Sequence, residues 1–549
     1  MRFCTLAVFL TLLVSEVSAQ NDILDSGGEL LPELAAYNVS YYDLNLLIEP
    51  ADSSIHGSVI IHADIVHPLN QFVLDLDSVF TVNRVTFFDK SHNMLPLDYA
   101  FENGRIWASF PETRQPGDKV IIKVDYEGKP RVAPNPPWEG GFTWSETADG
   151  QPWIGVSCQL NGADIWWPVK DHPSDRADSV SLNVTVPDPL IAAGPGKLRN
   201  VDNHDNGYST YKWFVSTPIN NYALSVNIAP YEVIEREYTS ITGESFPMYF
   251  WVLPENYAKA EQLFEQIEEQ MAFYEEYLGP YPFRADKYGV VETPYLGMEH
   301  QTIIAYGAGF QNDVVYNTNS GFDDLHHHEL GHEWWGNMVT AYDWRDFWIH
   351  EGFCTYMQPL FAEQLRGKEQ YHTFMEAIRL RITNTTPVAP RESKSTKEMY
   401  SGQDVYMKGA WFLHTLRYLI GDDKFFEALR TMSYPDPKLE KVTDGSQTRF
   451  ATTDDFLAVA EDVSNRELDW LFEVYLRQAQ LPELNQEREG KELKLSWSVK
   501  GDLKFPMPVE IIINGSKKRI QIPGGGVRIS IEEGDDIKID PNHWILREL

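Results

Sequence analysis

The stretch HHHELGHEWWGN, from His326 to Asn337, restricts this chain more than any other. His328 and His332 stand four residues apart, so on a helix both imidazoles lie on one face and reach the same ion. Glu329 falls beside that pair, where a carboxylate is placed to take a proton from an activated water and not to ligate the metal. Eighteen residues separate His332 from Glu351, which opens EGFCTYMQPLF, an amphipathic run read as a second helix. His328, His332 and Glu351 would supply three ligands and leave a fourth position for water, the catalytic form of a zinc site. HELGH alone also fits a surface helix with scattered histidines; the carboxylate on the second helix separates the two readings. The donor set points to zinc and leaves other divalent ions open.

HExxH, eighteen residues and Glu together resemble the zinc aminopeptidase family that includes aminopeptidase N and the leukotriene hydrolase type. Three more segments carry the likeness. QLNGADIWWPVKDHPSDRA is similar to the family's N-terminal glutamine segment, LGMEHQ to its GxMEN exopeptidase motif, and VYMKGA to its tyrosine motif. The resemblance implies that Glu329 acts first as base and then as acid. It implies that Tyr406 donates a hydrogen bond to the oxygen that becomes negative, with nearby Tyr400 as its rival. It further implies that Glu299 and Gln159 read a free α-ammonium while the backbone of Gly297 and Met298 aligns the peptide as an added strand. Two positions depart from the family: His300 replaces the asparagine after Glu299, and His350 precedes Glu351 where many relatives carry asparagine. His326 and His327 start no HExxH register and are expected near the site or facing solvent. Trp334, Trp335 and Asn337 are expected to pack and to hydrogen-bond behind it.

At 549 residues the chain is too long for one core. Met1 to Ala19 reads as a secretory leader, with Arg2 ahead of an apolar core and Val17-Ser18-Ala19 as the cleavage site, so a secreted or periplasmic protein is expected. No later run approaches the length of a membrane span. Beyond the leader only Cys158 and Cys354 remain, too few for a disulfide framework or a cysteine-held structural zinc. A net charge of −35 argues against nucleic acid or an anionic membrane as partner and suits a substrate with a cationic end.

The expected fold is multidomain α+β. Short alternating runs at 20–235 predict an antiparallel β domain, saddle-shaped by the resemblance. Helical periodicity through 236–481 predicts a mostly helical, thermolysin-like catalytic domain. Alternation at Leu493, Leu495, Trp497 and Val499, with the Asn514-Gly515 hairpin signal, predicts a small β-sandwich at 482–549. By the same resemblance a three-domain form is expected, without the helical C-terminal domain of the longer relatives. The expected activity is a zinc aminopeptidase acting on peptides with a free N-terminus. A zinc endopeptidase, a lipid epoxide hydrolase and an inactive binding protein stand as alternatives.

Overall fold

Alternation along Tyr37–Glu49 puts Val39, Tyr42, Leu44, Leu46 and Ile48 inside, and it sets the pattern for the first part of the chain. The computed structural model describes residues 25–89, 91, 93–400 and 403–548; the leader read at 1–19 lies outside them. Eight strands form the main N-terminal sheet, in the spatial order 197–204, 208–215, 179–187, 37–49, 54–65, 119–128, 80–88 and 94–96. All its neighbours pair antiparallel except two. Tyr37–Glu49 and Ser179–Pro187 run parallel, with Tyr42 opposite Val180 and Leu44 opposite Leu182; the long connection between them supplies the crossover a parallel pair requires. A four-stranded sheet includes Pro152–Ser157 and delivers Gln159 just beyond that strand's end.

The period changes at Tyr257. Ala260, Leu263, Phe264, Ile267, Met271, Tyr274 and Leu278, the stripe expected from the sequence, are all buried along the Tyr257–Leu278 helix. Gly279, at φ +105°, ends it. A five-stranded sheet joins Glu232–Thr239, Ser245–Val252, Tyr288–Glu292 and Ile304–Tyr306, with Gly297–Met298 at its edge. The motif helix, Asp324–Gly331, packs against that edge. The glutamate helix, Trp348–Arg366, links it to the tyrosine helix, Asp404–Ile420.

Two glycines set how closely these last two helices cross. A Cβ on Gly352 would meet Gly409 Cα at 3.0 Å, and one on Gly409 would meet Gly352 Cα at 3.1 Å. Backbone thus faces backbone one residue from Glu351 and three from Tyr406. Gly409→Val should force the helices apart, costing about 1–3 kcal/mol by overpacking. Its unfolding midpoint should fall and kcat should drop with it; an unchanged midpoint would show that the crossing has slack.

Two three-stranded sheets form the C-terminal part, with Leu493, Leu495, Val509 and Ile511 buried and Asn514-Gly515 turning between Val509–Ile513 and Ser516–Ile520. The chain end docks on the tyrosine helix: Trp544 stacks on His414 at 4.7 Å, and Thr415 donates to Trp544 O at 3.1 Å. Burial pushes His300, His326, His350 and His414 down to about 3. Each is therefore neutral when folded and takes a proton near pH 6.5 only when unfolded, so its contribution is full above 6.5 and shrinks as pH falls towards 3. The loss is roughly 1.4 kcal/mol per pH unit per group. Between pH 6.5 and 5 the urea midpoint of wild type should drop more than that of His414→Gln, whose amide does not titrate.

Candidate metal and catalytic site

Asp323 starts the motif helix by accepting from His326 N at 2.9 Å, which satisfies one free amide of its first turn. The helix ends at Gly331, where a Cβ would strike Tyr274 Oη at 2.4 Å and Cys354 Sγ at 3.1 Å. Only glycine lets this turn lie so close to the neighbouring helices. His332 is the C-cap residue, still right-handed at φ −65°, so its ring stays next to that of His328, edge-on at 4.8 Å.

The three candidate ligands converge. His328 Nε2 lies 3.1 Å from His332 Nε2 and 3.2 Å from Glu351 Oε2, and His332 Nε2 lies 3.4 Å from the same oxygen. A tetrahedral ion with ligands at 2.0–2.1 Å keeps its donors roughly 3.3 Å apart, so this set fits zinc. The ring of His332 is oriented from behind: Trp335 O lies 2.9 Å from Nδ1 and accepts its N–H, leaving the Nε2 lone pair for the ion. Burial alone would raise the Glu351 carboxyl, yet His332 and His328 beside it hold it below the usual carboxylate range. Among the described residues a second possible donor group is Glu299, Glu329 and His332, with donor atoms within 4.8 Å of one another.

One cleft of about 360 Å³ is lined by all nine candidates named from the sequence: Gln159, Gly297, Met298, Glu299, His328, Glu329, His332, Glu351 and Tyr406. Its size suits a small ligand or a peptide end. Gln159 reaches across from the N-terminal sheets and its amide donates to Glu299 Oε1. Tyr222 donates to the same oxygen at 3.1 Å. Burial pushes the Glu299 carboxyl up to about 7 and raises that of Glu329. Gly297 is where Glu329 needs room, since a Cβ there would lie 2.9 Å from Glu329 Oε1. Tyr406 stacks on His328 with ring centres 6.1 Å apart, and Tyr400, also lining the cleft, meets Tyr406 edge-on at 6.3 Å.

The solvent-facing reading of His326 and His327 fails. Both are fully buried: Tyr288 hydrogen-bonds His326 Nε2 at 2.7 Å, and His327 stacks on Phe361 at 4.8 Å. Their side of the motif helix is the side that packs on the Tyr257–Leu278 helix. His350 is also buried, and its Nε2 accepts from Ala341 N at 2.9 Å. His300 is buried with both ring nitrogens lacking a hydrogen-bond partner. Asn337 donates to Glu299 O at 3.0 Å, and Trp334 stacks on Tyr274. Tyr222, Trp138 and Arg381 are site residues the sequence reading missed. Tyr222 lies in the β-type run NYALSVNIAPY, where a tyrosine reads as packing, and nothing local marks its partner 77 residues away.

Residues 262–475 match the Peptidase family M1 domain and residues 38–223 the Peptidase M1 N-terminal domain. The chain belongs to peptidase family M1. Within this family it is 26% identical over 293 residues to leucine aminopeptidase 2 of Aspergillus clavatus, and 27% identical over 293 residues to that of Aspergillus fumigatus. Both matches cover 50% of this chain and 44% of the relative, so the shared part is under half of those proteins' length. In fold it is similar to the M1 zinc metallopeptidase of Deinococcus radiodurans, solved as a mutant bound to a Tyr-Ser-Ala substrate. That likeness has a TM-score of 0.65 at 23% identity over 84% of this chain and 98% of that one. The two M1 domains contain every candidate site residue, whereas the C-terminal sheets lie outside both.

Proposed function

We propose that this M1 chain is a zinc-dependent aminopeptidase that releases single residues from peptides with a free N-terminus. The observation that carries the reading is the position of Glu299, buried, held by Gln159 and Tyr222, and with a carboxylate oxygen within 4.8 Å of a donor atom of His332. One residue of extended peptide spans about 3.5 Å. An ammonium paired with Glu299 therefore belongs to the residue whose own carbonyl lies at the His-His-Glu set. An acetylated terminus would leave the buried carboxylate unpaired, which penalises blocked substrates.

His328, His332 and Glu351 would hold the ion, which when bound activates a water and polarises the scissile carbonyl. Glu329 takes the water's proton and passes it to the leaving amine. The Tyr406 hydroxyl, kept protonated by burial, donates to the carbonyl oxygen as it gains charge. Gly297–Met298, at the sheet edge, pairs with the peptide backbone. Three carboxylates in the cleft, Glu299, Glu329 and Glu351, favour the cationic end of a peptide over nucleic acid.

The deciding experiment sets one peptide with a free N-terminus against its acetylated twin, before and after chelation. Cleavage of the free peptide alone, abolished by chelator and restored by zinc, is expected. Equal cleavage of both twins would favour an endopeptidase, and cleavage of neither a lipid hydrolase or a binding protein. Export in secreted or periplasmic form is the companion proposal, supported by the leader-like start; N-terminal sequencing of the exported protein should begin at Gln20. No helix among the described residues is long and apolar enough to cross a membrane.

A further inference from the structure

We infer that residues Asp25 to Gly28 form a strap that positions the amine-reading corner of the cleft. None of the four lines the cleft, so the strap acts through other residues. Two arms lead from it. In the first, Trp344 Nε1 donates to Ser26 Oγ at 3.2 Å, and Gly27 lies close against the same indole. A Cβ on Gly27 would fall 2.2 Å from Trp344 Cδ1, at a φ of +83° that side chains disfavour. The Trp344 ring, 1% exposed, meets the Tyr222 ring at 5.8 Å, and Tyr222 donates to Glu299 Oε1. In the second arm, Ser26 O accepts from Thr396 N at 3.0 Å and Asp25 Oδ1 accepts from Lys397 N at 2.9 Å. Thr396 then donates through its hydroxyl to Leu160 O at 2.7 Å, the carbonyl beside Gln159. Gly28 closes the strap, its amide donating to Lys394 O at 3.3 Å while its carbonyl lies 3.1 Å from His172 Nε2.

Both arms end on one hydrogen-bonded pair, Gln159 and Glu299, which come from different domains and owe their register to what packs behind them. A strap fastened only to its own domain would brace one partner. This one touches the N-terminal domain through His172, the Trp344 segment before Glu351, and the Ser395–Lys397 turn before Tyr400. It is thus placed to hold Gln159 and Glu299 in common register.

The inference rests on the aminopeptidase reading, and its test separates the two. In a Glu329→Gln background, which binds without turnover, calorimetry gives Kd for a tripeptide and for its acetylated twin. Tighter binding of the free tripeptide is required first; equal affinities there would remove the aminopeptidase reading and the strap proposal with it. Adding Gly27→Val should then cut the free-over-acetylated preference about tenfold, and Ser26→Ala about threefold, at unchanged zinc content, because small misplacements of a binding group are costly. With otherwise wild-type Glu329, the same variants should raise KM for the free peptide more than they lower kcat. A preference unchanged within twofold, with only the melting temperature lowered, would overturn the proposal. Should Gly27→Val fail to fold, Ser26→Ala decides it.

Discussion

Glu329→Gln is expected to lower kcat on a free-amine peptide by about 10²–10⁴-fold, the range for losing a positioned acid–base group. KM should stay within about threefold, because Gln is isosteric and keeps the close approach of that side chain to Gly297. The carboxylate is 7% exposed and belongs to the donor group formed with Glu299 and His332, not to the set formed by His328, His332 and Glu351. Zinc content therefore discriminates between two roles. Full zinc with lost turnover assigns Glu329 to proton transfer. Lost zinc would instead make it a ligand, and the ion would sit in the second group.

The next largest effect should follow Glu299→Ala. Gln159 and Tyr222 both donate to Oε1 of this carboxylate, which leaves Oε2 for an incoming ammonium. Truncating one partner of a buried, hydrogen-bonded charge pair costs about 2–5 kcal/mol, so kcat/KM should fall by roughly 30-fold to several thousand-fold. The loss should be selective. The acetylated twin, which offers no ammonium, should bind no worse than before, and the preference for free termini should collapse. Equal losses of binding on both twins would mean that Glu299 supports the site's shape and does not read the amine.

Several features of the site were legible locally because their signals are short-range. The i, i+4 spacing of His328 and His332 is a property of one helical turn, and Glu351 is announced by the amphipathic run it opens. The stripe from Ala260 to Leu278 was readable for the same reason, as were the strand alternation and the Asn514-Gly515 turn. Burial of His326 and His327 was not, because a histidine's side of a helix is known only once the neighbouring helix is placed. Tyr222, Trp344 and the strap at Asp25–Gly28 were silent: their partners lie far along the chain, and tyrosine, tryptophan or glycine in a loop has many ordinary uses.

The sequence by itself determined the donor chemistry and the β, helical and β succession, since each follows from residue type and near-neighbour periodicity, whereas Glu299 and Gln159 were pointed to as amine readers only by the family resemblance. Tertiary structure alone decided that the donors of His328, His332 and Glu351 meet at 3.1–3.4 Å, that Gly352 and Gly409 let two helices touch, and that Gln159 crosses to Glu299. Such distances depend on how separately specified elements pack, and packing is fixed by the shapes of all the buried side chains together.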